Sequence, residues 1–267
     1  MAMIVSIIMN TRDIVIDADH ILYLVAFSKD YNDGFDEVDG DSDADFVGFG
    51  DETIEIDLTP YKKHFKAIIE DYITTAEVES IAYNWTIGKI RVILSDHKNF
   101  RYDIYPEYKA KRETKNPLLS SLKKWAMKKY HFEKNTEADE VVSYYVKKGG
   151  LGFTTDKDLF KGVAGRWFNS HYKHRYWVKT SKEDAHKFML MQVLAGDPVD
   201  EIPALPRVGL LTAKKLLDKF GWDWKGVVKA YESKGFDEDY AILTRNLVDM
   251  NIWHPKKGIT LFTGDLK

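Results

Sequence analysis

Acidic residues recur in this chain at the ends of apolar runs. Asp17 closes the β-branched run that begins at Asp13, Asp96 follows the run from Arg91 to Ser95, and Asp156 and Asp158 follow Phe153-Thr154-Thr155. Glu137, Asp139 and Glu140 stand in the first turn of a predicted helix, and Asp197 and Asp200 flank a proline after another. Taken singly, each is an ordinary turn or cap. Acids favour helix N-termini, and Thr136 with Asp139 three residues on forms a capping-box-like pair. Three acids in four positions exceed what capping requires, however, and an extended backbone would aim Asp156 and Asp158 to one side. Carboxylates gathered in one cleft raise one another's pKa unless cations neutralise them. Hard divalent ions meet that need, and two magnesium ions roughly 3.5–4 Å apart suit an in-line phosphoryl displacement without a histidine base. The eight histidines show no metal-ligand pair at helical spacing, and the lack of cysteine excludes disulfides, zinc-thiolate sites and a thiol nucleophile.

The elements that must position these acids alternate. A strand is predicted at Asp13–Asp17, a helix at Ile21–Phe27, a helix at Tyr61–Ala76 and a buried strand at Arg91–Ser95. A helix from Glu137 to Lys148 ends at Gly149-Gly150, a strand runs through Phe153-Thr154-Thr155, and hairpin-like sequence continues to about Lys179. That order predicts an α/β fold with a mostly parallel central sheet flanked by helices, whose ligand site lies at the carboxyl ends of the strands. From Lys182 onward the pattern is helical, broken by a proline-rich turn from Pro198 to Pro206. The expected division is therefore an α/β core over residues 1–181 and a helical region over 182–267.

Charge divides along the chain. Residues 30–57 hold twelve acids and no Lys or Arg, so the remainder carries 39 bases against 42 − 12 = 30 acids, a balance of +9. Residues 97–134 hold eleven Lys or Arg and four acids. A basic body suits a polyanionic partner, and the acidic stretch reads as a solvated insertion. Its Asp41, Asp43 and Asp45 alternate as in a calcium loop, but Phe46 occupies the position that needs glycine. The apolar start, Met1–Met9, has no preceding cation and no small-residue cleavage site, and it is too short to span a membrane. A cytoplasmic protein is expected.

Taken in order, the strings VIDAD at Asp17, VILSD at Asp96, YPEYKAKR at 105–112, EADE at 137–140, TTDKD at 154–158 and LAGDPVDEIPALPRVGLLTAKKLL at 194–217 are specific. Together they resemble the 5′-nuclease superfamily of flap endonucleases, the 5′-nuclease domain of bacterial DNA polymerase I and bacteriophage 5′-exonucleases, with the phage enzymes most alike. The resemblance implies a PIN-like core with a C-terminal helix-hairpin-helix region. It implies a magnesium-dependent hydrolase, with manganese as a substitute metal, acting on 5′ ends, nicks or flaps of double-stranded DNA and on RNA in RNA:DNA hybrids. Asp17, Asp96, Glu137, Asp139 and Glu140 match the first metal group, and Asp156, Asp158, Asp197 and Asp200 the second. Tyr108, Lys109 and Arg112 match a basic helix arching over the site, with Lys111 alongside. Lys109 is expected at the scissile phosphate, and Tyr105 or Tyr108 stacked on an unpaired base. Gly209, Thr212, Lys214 and Lys215 match the hairpin element, where backbone N–H groups meet a duplex phosphate, often with a potassium ion.

The chain departs from the family pattern in three places. Asp139-Glu140 replaces Asp-Asp, Glu201-Ile202-Pro203-Ala204 replaces Asn-Ile-Pro-Gly, and Arg207-Val208-Gly209 replaces Gly-x-Gly. Asp19 is a further acid beside the first group. Two rival classes share parts of the pattern. A toxin-type carboxylate ribonuclease would lack the basic segment and the hairpin, and a non-catalytic nucleic-acid-binding protein with this fold would have lost several acids.

Overall fold

The computed structural model describes residues 10–27, 56–111, 116–171 and 173–264. The apolar start, nearly all of the acidic insertion and Arg112 lie outside the described residues.

The strands are β1 (Asn10–Asp17), β2 (Trp85–Leu94), β3 (His131–Phe132), β4 (Leu151–Thr154), β5 (Gly165–Asn169) and β6 (Tyr176–Thr180). They form one sheet in the order β3-β2-β1-β4-β5-β6, parallel except for β6, which returns antiparallel beside β5. The predicted hairpin-like segment up to Lys179 is this β5–β6 pair. β1 is central, and Ile14, Val15 and Ile16 are fully buried, as a strand covered on both faces requires.

One face packs on α1 (Asp19–Ala26), α2 (Thr59–Tyr83) and α4 (Pro117–Met127) through Ile21, Phe65, Ile69 and Leu122. The other packs on α5 (Ala138–Lys147) and α6 (Lys157–Gly162) through Val142, Val146 and Leu159. Trp167 on β5 lies flat across β4, so Gly152 has no room for a side chain: an added Cβ would stand 2.2 Å from the indole. α2 outruns the predicted helix at both ends, opening with Pro60 in its first turn and closing on Asn84 in the left-handed conformation.

A third apolar cluster joins α7 (Lys182–Ala195), α8 (Leu210–Phe220), α9 (Trp224–Glu232) and α10 (Glu238–Val248). Tyr108, from the segment after α3 (Phe100–Ile104), inserts into this cluster and ties it to the sheet. A small hairpin, β7 (Trp253–His254) with β8 (Gly258–Ile259), interrupts the helical pattern near the end. No described helix is long and apolar enough to cross a membrane.

Candidate active site

The parallel strands deliver their carboxyl ends to one edge of the sheet, and a cleft of about 460 Å³ opens there. Seven acids line it: Asp17, Asp19, Asp96, Glu137, Asp139, Asp156 and Asp200. Asp17 ends β1 and Asp156 follows β4, and Thr154 links them by donating its hydroxyl to Asp17 Oδ2 (2.9 Å) and accepting the Asp156 N–H (3.0 Å). Asp19 opens α1 and accepts the Ser95 N–H at 3.3 Å. Asp96 is anchored by the N–H groups of His97 (2.7 Å) and Asn135 (2.9 Å).

Lys109 is a cation of the cleft that forms ion pairs with its acids. Its Nζ lies 2.6 Å from Glu137 Oε1 and 3.4 Å from Asp200 Oδ2. Its backbone takes the left-handed conformation (φ 54°) and donates to the Asp200 carbonyl at 3.0 Å, which aims the side chain inward. Glu137 is held from behind by Arg101 Nη1 (3.0 Å) and by the Tyr108 hydroxyl (3.0 Å), while Arg101 Nη2 reaches Glu140 Oε1 at 2.5 Å and its Nε donates to the Leu247 carbonyl at 2.7 Å. Burial opposes the Glu137 charge, but Lys109 and then Arg101 outweigh it and bring its pKa down to about 2. Burial also opposes the Arg101 charge, and its two carboxylate neighbours more than restore it. The Tyr108 phenol is pushed up by burial and by the Glu137 charge, so it stays a donor.

The other acids are not so compensated. Burial raises the pKa of Asp139 well above the usual carboxylate range, and the charges of Asp156, Asp17 and Glu137 raise it further. Burial raises Asp19 as well, which Lys123 only partly opposes, and Asp156 is pushed up to about 6. Beside the cleft, burial and the Asp197 and Asp200 charges raise Asp158. Buried oxygen donors that repel one another, only partly offset by Lys123 and Lys161, are the donor type that suits hard divalent cations, and among the described residues no three of them yet converge as the ligands of one ion.

Several expectations need correction. Glu140 does not face the cleft: it is the partner of Arg101 and accepts the Glu137 N–H at 3.0 Å, completing a capping box for α5. That box uses Glu137 and Glu140 rather than Thr136 and Asp139, which releases Asp139 to the cleft. Asp156 and Asp158 do not share an extended backbone, because α6 begins between them and Asp156 caps it by accepting the Asp158 N–H at 2.7 Å. Residues 106–111 are turns rather than an arching helix, with Lys111 exposed. Tyr108 is 1% exposed and so cannot stack on a base, and Tyr105 is half-buried against the helical cluster.

Four residues that the sequence reading missed belong to the site. Arg101 positions two acids. Tyr102 is 38% exposed, lines the cleft and packs edge-on against Tyr108. Lys123, on α4, and His20 line the cleft too. His20 Nε2 is 2.8 Å from the Tyr72 hydroxyl, and its Nδ1 is 3.6 Å from Asp17. The spacing Asp17-Ala-Asp19-His20 was the available signal for His20.

In the predicted hairpin element, Ile202 forms an antiparallel bridge with Asp197, residues 203–209 are irregular with a turn at Pro206 and Arg207, and only α8 is helical. Gly209 precedes α8 with an extended backbone, and the left-handed position belongs to Arg207 (φ 61°). Thr212, Lys214 and Lys215 are exposed on the first turns of α8, with Lys214 paired to Asp218 at 2.8 Å.

No protein-family model matches the chain. In sequence it is 32% identical over 156 residues to a 5′-3′ exonuclease of Buchnera aphidicola subsp. Acyrthosiphon pisum, covering 50% of this chain and 54% of that protein. It is 27% identical over 143 residues to DNA polymerase I of Rhizobium leguminosarum, covering 46% of this chain and 14% of the polymerase. The chain thus spans about half the length of the exonuclease relative. In structure it superposes on bacteriophage T5 5′-exonuclease with bound zinc at a TM-score of 0.58 and 14% identity, over 91% of both chains. A complex of bacteriophage T5 flap endonuclease with DNA and metal ions gives a TM-score of 0.51 and 16% identity, over 69% of this chain and 82% of the phage chain. The resemblance to the 5′-nuclease superfamily therefore rests on two independent comparisons, and the chain has the fold of a phage T5 5′-exonuclease.

Proposed function

We propose that this chain is a divalent-metal-dependent 5′→3′ exonuclease and flap endonuclease that hydrolyses phosphodiester bonds from the 5′ end of duplex DNA, with RNA in RNA:DNA hybrids as a second substrate. The observation that carries this reading is the cleft at the carboxyl ends of β1, β2 and β4, which seven acids line and where Lys109 Nζ pairs with two of them, Glu137 and Asp200. Neutral hydrolytic sites do not need so many carboxylates, and a buried structural network would not leave Asp139 uncompensated.

Asp17, Asp19, Asp96, Glu137 and Asp139 would hold one ion, and Asp156, Asp158, Asp197 and Asp200 the other. When bound, the pair, magnesium or manganese, would supply Lewis acidity toward the phosphate and lower the pKa of the attacking water. The protein's own contribution is placement. Lys109, carried between Glu137 and Asp200, offers its ammonium to the phosphate, while Arg101 and Tyr108 keep Glu137 ionised and oriented. The cleft has the volume of a small-ligand pocket, so the 5′ end enters unpaired. The exposed N-terminal turns of α8 and the helical region 182–267 would hold the duplex by its phosphates, with a potassium ion in the turn before α8. Affinity should then fall as salt rises. Such an enzyme would work in the cytoplasm, the host's if the chain is phage-encoded.

The deciding experiment is product analysis on 5′-labelled blunt, nicked and flapped duplexes with magnesium and then with EDTA. Release of labelled mono- or short oligonucleotides in magnesium alone is expected. Intact substrates under both conditions would overturn the reading.

A further inference from the structure

A groove of about 1210 Å³ crosses the opposite end of the sheet from the acidic cleft. It lies where strands begin: Arg12 on β1, Gly150 before β4 and Arg166 at the start of β5. Arg12 and Asp17 stand five residues apart on one strand, roughly 17 Å at ~3.3 Å per residue. One bound phosphate therefore cannot touch both sites.

Eight Lys or Arg line this groove against a single acid, Asp249. Arg166 pairs with Glu79 and Arg245 with Asp249. That leaves Arg12, Lys147, Lys148, Lys179, Lys182 and Lys257, and among the described residues no carboxylate forms an ion pair with any of these six. The single acid among these cations makes the groove strongly positive. Partial desolvation lowers the pKa of Lys147, and the neighbouring Lys148 ammonium lowers it further, although Asp249 opposes both. An anion between the two lysines would relieve that repulsion.

The groove also carries aromatic rings. Tyr144 meets Trp253 and His254 edge-on with centroids 5.4 Å apart in each pair; Tyr144 and His254 are partly exposed rings of the groove, and Trp253, 6% exposed, backs them. Its volume exceeds the roughly 300–1,000 Å³ of ordinary small-molecule pockets. Cations that follow a backbone, beside rings that accept unstacked bases, are the combination that binds single strands. A paired duplex keeps its bases stacked and would leave the rings unused.

We propose that this groove binds single-stranded nucleic acid by its phosphates, separately from the acidic cleft. The choice of nucleic acid rests on the nuclease reading above. In EDTA the cleft's carboxylates repel phosphate, so strand binding under those conditions reports on the groove.

The test is fluorescence anisotropy of a labelled oligothymidylate in EDTA, titrated with wild-type protein and two double variants. Lys147→Glu with Lys179→Glu alters the groove, and Lys63→Glu with Lys66→Glu makes the same charge change on the exposed side of α2. All sites are exposed, and circular dichroism confirms folding. The groove variant should bind about tenfold more weakly, and its slope of log K against log salt should flatten by about 1.4, or 0.7 for each lost phosphate contact. The α2 variant should bind as wild type does. Equal weakening of both variants, or of neither, overturns the proposal. Inorganic polyphosphate of matched charge binding as tightly as the oligonucleotide would overturn the assignment to nucleic acid. No turnover is involved, so a chain without nuclease activity would still give a readable result here.

Discussion

Lys109 Nζ lies 2.6 Å from Glu137 Oε1, so the ammonium proposed for the phosphate and a carboxylate proposed for a metal ion form one ion pair. In the absence of both, the ammonium neutralises a carboxylate that burial disfavours. Lys109→Ala should therefore lower the single-turnover cleavage rate by about 10²–10³, the effect of removing one preorganised charge at a developing anion. Duplex affinity in a non-cleaving buffer should change much less. An equal loss in rate and affinity would make Lys109 a docking residue only.

Arg101 stands behind that pair, with its side chain 3% exposed and its guanidinium shared between Glu137 and Glu140. Removing one partner from a buried ionic network leaves charge without compensation, at about 3–5 kcal/mol. Arg101→Met should lower the urea midpoint accordingly, and Arg101→Lys, which keeps the charge but not the fork, should lower it less. An unchanged midpoint for Arg101→Met would show that the network contributes nothing to the fold.

Asp156 and Asp197, both proposed for the second ion, hold different positions, one in the cleft and one beside it. Asp156→Asn and Asp197→Asn should each abolish magnesium-dependent loss of a 5′ label. Duplex binding should remain largely intact, because it rests on surfaces elsewhere. Undiminished cleavage by both variants would remove the two-metal assignment.

Much of this arrangement was legible in the sequence because parallel strands announce themselves as buried β-branched runs, and acids at their ends mark the functional edge. The partners of those acids were not legible. Arg101 meets Glu137 across 36 positions and Leu247 across 146, and no local periodicity encodes such contacts. Tyr108 looked like an exposed member of a basic helix, yet it is consumed as the peg between the sheet and the helical cluster. Asp156 and Asp158 were misjudged for a local reason: an Asp two residues before another acid is also a helix N-cap, and that geometry prevailed.

A carboxyl whose pKa is raised by folding costs stability at pH above its unfolded value, and burial with the charges of Asp156, Asp17 and Glu137 raises Asp139 in this way. In EDTA at neutral pH, Asp139→Asn should therefore raise the melting temperature above wild type, because the amide carries no ionisation that the fold disfavours. Magnesium should reverse the order. Wild type would gain about 2.7 kcal/mol at one hundred times its Kd, and the variant, missing a ligand, would gain less. Differential scanning fluorimetry with and without magnesium reads both arms. A variant less stable than wild type in EDTA would mean that Asp139 is structurally engaged rather than held for a cation.

Tyr102 lines the cleft, and it rather than Tyr105 or Tyr108 is proposed to meet an unpaired base. It is 38% exposed and is braced edge-on by Tyr108, with ring centroids 5.4 Å apart, so its free face is rigidly presented. Stacking of a base on such a ring is worth about 1–3 kcal/mol. Tyr102→Ala should weaken binding of a duplex carrying an unpaired 5′ end by that amount and leave a blunt duplex nearly unaffected, whereas Tyr102→Phe should bind both normally. Titration of the two substrates in calcium, with cleavage suppressed, separates these outcomes. Equal losses on both substrates would show that the ring supports the fold of the cleft rather than the unpaired base.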